Sequence, residues 1–307
     1  MGASQKTVAS FRGNLKHHLE GATHFMITVT SAAGHAGSHV VKALVDAGFE
    51  VGAADINPAV KDLPGIKQAF VGDLTDITVI DEITKASDKI AYIPPLFSAE
   101  EGLIGKQMID SSIKNDVSQF IFISVTHPIL TTLLQHVEKR DTEEHLIYAG
   151  MSTQLPYTIL QPMHYMHNFD PKRVHDTGKY ENFYASDGKL CYVDPLDVGE
   201  VAAKVAKDPE TYNKATFELV GTKKTYTPQD LVDTYNKLTG EHAVATHIDL
   251  EKFLDENHIN DLYMRQAFKH LSDTYSKWGL DGNPFVLKTL LGREPTTFEE
   301  YLKREIK

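Results

Sequence analysis

The sequence predicts an α/β protein: a doubly wound parallel sheet with a smaller, mainly helical C-terminal lobe. Three observations carry that expectation. From Met26 to Gln161 short apolar runs alternate with longer segments of helical spacing, the pattern of parallel βαβ units covered on both faces. After Pro162 the alternation gives way to a stretch, 163–187, rich in His, Asn, Asp and Tyr. The last third then reads as helices with start signals of their own.

Taken in order, the first strand is Met26 to Thr30, followed by a turn of small residues and a helix in which Val40, Val41, Leu44 and Val45 share one face. Gly48 closes that helix. Strands follow at Phe49 to Ala54, Lys67 to Val71, Lys89 to Ile93, Gln119 to Ser124 and Tyr157 to Gln161. Helices are expected at Asp76 to Ala86, Glu101 to Lys114, and from after Pro128 to about Ala149. A further strand, Lys189 to Val193, and a helix opened by Asp194 or Pro195 and running through Ala206 are expected to return to the sheet. Thr227 caps one late helix, and Thr297 with Glu300 forms a capping box for the last. The expected division is therefore a sheet domain of 26–162 plus 189–206, and a substrate lobe of 163–188 and 207–307.

Composition narrows the function classes. The 307 residues carry 42 acids against 31 Lys and Arg, a formal charge of -11, with no basic stripe to draw the chain directly to nucleic acid. One cysteine, Cys191, cannot make an intrachain disulfide, and its apolar surroundings read as inert core. No apolar run reaches the ~20 residues of a membrane span, so a cytoplasmic protein is expected. Residues 1–25 read as a leader or a disordered arm, with a transit peptide as the alternative, because Glu20 is their only acid. Nothing in the sequence sets the oligomeric state.

The turn after the first strand, Thr30-Ser31-Ala32-Ala33-Gly34-His35-Ala36-Gly37, carries the first chemistry. Glycines there let backbone N–H groups approach a pyrophosphate at a helix N-terminus, the arrangement of a Rossmann dinucleotide-binding turn. Gly34 and Gly37 fill two of the glycine places, and Ser31 departs from the third. Asp55, eighteen residues beyond Gly37, stands where an acid accepts from the adenosine ribose. No Lys or Arg precedes Lys61 to receive a 2′-phosphate, so NAD is expected ahead of NADP. Asp55 could equally cap the Asn57-Pro58 turn. Asp73 could face the adenine, act as a helix N-cap, or do both.

Several segments together resemble the NmrA-like family of atypical short-chain dehydrogenases: the 30–37 turn, Val71-Gly72-Asp73-Leu74-Thr75-Asp76, Pro94-Pro95-Leu96-Phe97, Phe122-Ile123-Ser124-Val125-Thr126-His127-Pro128, His136 followed by Lys139, and Tyr157-Thr158-Ile159-Leu160-Gln161-Pro162. The likeness covers Met26 to Pro162 closely and the remainder in outline. It implies an NAD(P)-binding fold whose cofactor contacts are Ser31, Gly34, His35, Ala36, Gly37, Asp55, Asp73, Leu74, Pro94, Pro95, Ser124, Lys139 and Pro162. It also implies Lys139 in the place of the family lysine, against the nicotinamide ribose, with His136 and Ser124 as further candidate catalytic groups.

The Tyr-x-x-x-Lys pair of short-chain dehydrogenases is absent. His136, Lys139 and Glu143 share a helical face, and a surface salt bridge between Lys139 and Glu143 is the competing account of that lysine. His127, His164 and Tyr165 are candidate substrate-pocket residues. His164 and His167 lack the further ligands of a metal site, so no metal is expected. Tyr180, Phe183 and Tyr184 read as packing. Three functions remain open: an oxidoreductase acting on a small carbonyl or quinone-like substrate, a dinucleotide-sensing regulator that binds a partner protein, and a scaffold that has lost its cofactor.

Overall fold

The computed structural model describes residues 26–306, so the expectations for 1–25 lie outside the described residues. Strands β1 (Met26–Val29), β2 (Glu50–Asp55), β3 (Gln68–Val71), β4 (Lys89–Tyr92), β5 (Gln119–Ile123) and β6 (Tyr157–Pro162) alternate with helices α1 (His35–Asp46), α2 (Ile77–Ala86), α3 (Glu101–Lys114) and α4 (Leu134–Ser152). Beyond them lie α5 (Pro171–Thr177), β7 (Lys179–Asn182), α6 (Pro195–Lys207), β8 (Ala215–Leu219), α7 (Pro228–Thr239), β9 (Val244–His247), α8 (Leu250–Glu256), α9 (Leu262–Lys277), α10 (Phe285–Leu291) and α11 (Phe298–Glu305).

The main sheet is parallel throughout, in the order β3-β2-β1-β4-β5-β6-β8. Strand period decides which side chain faces which layer. In β5, Phe120 and Phe122 join the core shared with α2, α3 and α4, while Ile121 and Ile123 join the core shared with α1 and α6. The second core does not stop at α6. It runs on through Phe169, Tyr180, Tyr235 and Phe298 of the C-terminal lobe as one cluster.

Several elements differ from expectation. Residues 189–193 form no strand: Leu190 makes single bridges to Tyr226 and Leu280, and Val193 one to Tyr165, so this buried run threads between segments without joining the sheet. The strand beside β6 is instead β8, drawn from the stretch assigned to the lobe. A small pair, β7 from the first lobe segment and β9 from the second, also forms. α4 begins at Leu134, because residues 128–133 fold back in turns closed by Leu130 N–H to the His127 carbonyl and Leu133 N–H to the Leu130 carbonyl. Asp76, not Asp73, caps α2 by accepting from Thr78 N–H. The caps Asp194, Thr227 and Thr297 are present, the latter two as capping boxes. No described helix is long and apolar enough to cross a membrane.

Candidate functional site

The order of strands reverses between β1 and β4, and a crevice opens beyond the carboxyl ends of the strands at such a point. Thr30 ties its two sides together. Its hydroxyl donates to the Ile93 carbonyl at 2.7 Å and accepts from Ile93 N–H at 2.8 Å. Ser31 adds a third bond, its hydroxyl to the same carbonyl at 3.0 Å. Its φ of 48° is left-handed, the region where glycine costs nothing and another residue costs about 1–2 kcal/mol. The side-chain bond therefore offsets part of the strain of a non-glycine residue at this place.

Gly37 is sterically obligatory. A β-carbon there would lie 2.1 Å from the Ser31 carbonyl oxygen and 2.8 Å from the Ala32 Cα. Gly34 is the N-cap of α1, and no side chain caps that end, so the first N–H groups of the helix face the crevice with the positive end of the dipole.

On the β2 side, a cleft of about 260 Å³ brings together Ser31, Asp55, Ile56, Asp73, Leu74 and Pro95, with Glu100 at its rim. Asp55 holds the turn in shape: one carboxylate oxygen accepts from Ala33 N–H at 2.9 Å and the other from Asn57 N–H at 2.8 Å. Each oxygen keeps a lone pair for a further donor. Asp73 accepts from Thr75 N–H at 2.9 Å and is exposed to the cleft. A second hollow, between α2 and α3, is lined by Asp81, whose carboxylate is already bonded by Lys85, Lys114 and Asn115.

On the β5 and β6 side the groups are buried and paired. Lys139 donates to Glu101 on α3 at 2.5 Å, with side chains 9% and 1% exposed. The competing Lys139–Glu143 salt bridge is absent; Glu143 instead accepts from the Ser124 hydroxyl and from the Gln161 amide. Burial raises the pKa of Glu101 against the pull of Lys139, and likewise raises that of Glu143 against its hydrogen bonds. His136 is buried, its Nδ1–H donating to the His127 carbonyl at 3.1 Å, and burial lowers its pKa to about 4. It is neutral at pH 7 and is no acid there. Four residues before Lys139, where a short-chain dehydrogenase has its tyrosine, stands Gln135, buried with its carbonyl oxygen unpartnered.

Pro94 is buried just beyond β4, and Pro162 ends β6 with its carbonyl accepting from Thr126 N–H. His127 is tethered, Nε2–H to the Asp281 carbonyl and Nδ1 beside Glu218. His164 contacts Asn168 and the Tyr275 hydroxyl, and burial lowers its pKa to about 4. Tyr165 stacks on His167, and His167 stacks in turn on His35. The structure thus gathers Ser31, Asp55, Asp73, Leu74 and Pro95 on one side and Ser124, His136 and Lys139 on the other. Glu101, Gln161 and Ile56 went unnoticed in the sequence. Only Glu143, on the face of His136 and Lys139, carried a spacing signal.

The model of the NmrA-like family matches residues 23–302. The chain belongs to the NmrA-like family. This NmrA-like protein is 23% identical over 292 residues to agroclavine dehydrogenase of Claviceps fusiformis, covering 90% of the chain and 96% of that enzyme. Among solved structures, the NADPH-dependent quinone oxidoreductase of Escherichia coli, complexed with NADPH, superimposes with a TM-score of 0.72 at 21% identity, over 92% of the chain and all of the other. NmrA, a negative transcriptional regulator in complex with NAD, gives a TM-score of 0.70 at 15% identity, over 91% and 94% of the two chains. Both share its Rossmann-like α/β fold.

Proposed function

We propose that this protein binds NAD(H) across the strand ends and passes hydride between it and a small carbonyl or quinone-like compound. The observation that carries the reading is the crevice itself: an uncapped helix end at Gly34, an obligatory Gly37, and a cleft in which Asp55, Asp73 and Glu100 converge. When bound, the dinucleotide supplies the hydride chemistry. Asp55 accepts from a ribose hydroxyl, and the three carboxylates disfavour a 2′-phosphate, which supports NAD over NADP. Lys139 and Ser124 position the nicotinamide end.

A quinone-like acceptor suits the site, because His136 is neutral and no tyrosine stands before Lys139 to give a proton. Water supplies it. The dehydrogenase and quinone oxidoreductase among the relatives agree with this class. Gln135 in the tyrosine place favours a second reading, a dinucleotide-sensing regulator that recognises a partner protein without turnover.

Titration with NADH and NADPH, followed by a screen of quinones and aldehydes, decides between them. Tighter NADH binding with turnover is expected. Binding without turnover favours the regulator, and no binding of either cofactor overturns both readings.

A further inference from the structure

His35 opens α1, and its ring stacks on that of His167 with centroids 5.1 Å apart and planes 21° from parallel. Tyr165 also stacks with His167, its ring centroid 5.0 Å away and its plane at 17°. Three rings thus form a column that ends at the uncapped N-terminus of α1. Inside it the Nδ1 of His167 is buried and without a hydrogen-bond partner. An orphaned ring nitrogen beside the positive end of a helix is costly in the empty site and is suited to an arriving anion.

We propose that binding of the dinucleotide's diphosphate places a proton from solvent on the stacked His35–His167 pair, so that affinity rises as pH falls. The inference rests on the cofactor reading above and adds the regulation of that site. The charged groups that act on His167 come from both elements around it, His35 and His39 on α1 and His164 on its own segment, and all are imidazoles. No carboxylate is among them. Burial, and then these neighbours, lower its pKa to about 3, so the His167 ring is neutral near pH 7 without a ligand and adds no charge to the positive end of the helix dipole. A diphosphate reverses the balance. The bound pKa exceeds the free one, and affinity falls with rising pH between the two values.

The test is calorimetry with NADH and with ADP-ribose, which carries the diphosphate without the nicotinamide, in two buffers of different ionisation enthalpy. Uptake of about half a proton or more per ligand is expected near pH 6, vanishing by about pH 9, with affinity dropping roughly threefold or more per pH unit near pH 6 and levelling off as the uptake vanishes. His167→Phe keeps the stack, lacks the nitrogens, and should abolish the uptake. His35→Gln, at an exposed position, should reduce it and serves if the first variant does not fold. Binding with buffer-independent heats overturns the proton linkage while leaving the cofactor reading intact. Uptake undiminished in both variants places the proton elsewhere and overturns the assignment to this pair. Absence of binding by either ligand removes the cofactor reading and this inference together.

Discussion

Replacing Lys139 with Met tests the buried half of the site most directly. The ammonium and carboxylate it pairs with are 9% and 1% exposed, and the second carboxylate oxygen of Glu101 has no partner. Removing the cation strands that carboxylate, and breaking a buried pair from one side costs about 3–5 kcal/mol. Glu101 escapes by taking a proton. Burial already raises its pKa, and the loss of Lys139 deletes the attraction that held it down. A carboxyl whose folded pKa is raised leaves stability intact below the unfolded value of about 4.3 and loses it as pH rises toward the folded value. The deficit of Lys139→Met is therefore small near pH 5 and full near pH 8. Guanidinium unfolding of wild type, Lys139→Met and the double variant Glu101→Gln with Lys139→Met at both pH values measures it. The double variant should recover most of the loss at pH 8. A single variant as stable as wild type at pH 8, or one whose deficit does not shrink at pH 5, would refute a buried ion pair here. Weaker NADH binding by the double variant, once its stability is restored, would show that Lys139 also serves the cofactor.

Gly37→Val should cut NADH affinity by about 100-fold, ~3 kcal/mol, while costing about 3 kcal/mol of stability or more, the top of the overpacking range, because the clash is with backbone, as read by titration and thermal melting. Normal affinity in the folded variant would remove the turn from the diphosphate site. Asp55→Asn should raise the NADPH-to-NADH affinity ratio by about tenfold, ~1.4 kcal/mol; a wild type that already prefers NADPH contradicts the role given to Asp55. Ser31→Ala loses the bond to the Ile93 carbonyl and keeps the strain, at about 1 kcal/mol, whereas Ser31→Gly exchanges bond for relief and should melt near wild type. A Ser31→Gly protein as destabilised as Ser31→Ala would show that φ at this position carries no cost.

The β2 and β3 side of the candidate site was legible because it is local. The turn, Asp55 at the end of β2, and Asp73 with Leu74 beyond β3 each stand at a fixed offset from a strand the apolar pattern reveals. The β5 and β6 side was legible only in part. Lys139 and His136 could be placed on one face of α4, but their partners are set by tertiary packing: Glu101 reaches Lys139 from α3, and the His127 carbonyl reaches His136 from the loop after β5. The same limit explains the misread strand. Lys189 to Val193 is an apolar run of strand length, yet its N–H and carbonyl groups are taken by scattered partners, among them Tyr226, Leu280, Gly221, Thr222, His164 and Met166. β8, Ala-Thr-Phe-Glu-Leu at the sheet's edge, does alternate apolar and polar residues, but the run is only five residues long and lies among helical segments, so its strand signal was passed over.

The shared cluster that runs from α1 and α6 into Phe169, Tyr235 and Phe298 determines how the crevice can move. A lobe joined to the sheet by continuous apolar packing cannot swing as a rigid flap without exposing that packing to water, at about 25 cal/mol for each Å² uncovered. Access for a cofactor or substrate then falls to short stretches at the rim, the Pro94–Glu100 crossing and the segment around Tyr165. Heat should melt sheet and lobe in a single transition, and a bound dinucleotide should shift that transition as one, since whatever steadies α1 steadies the lobe packed upon it.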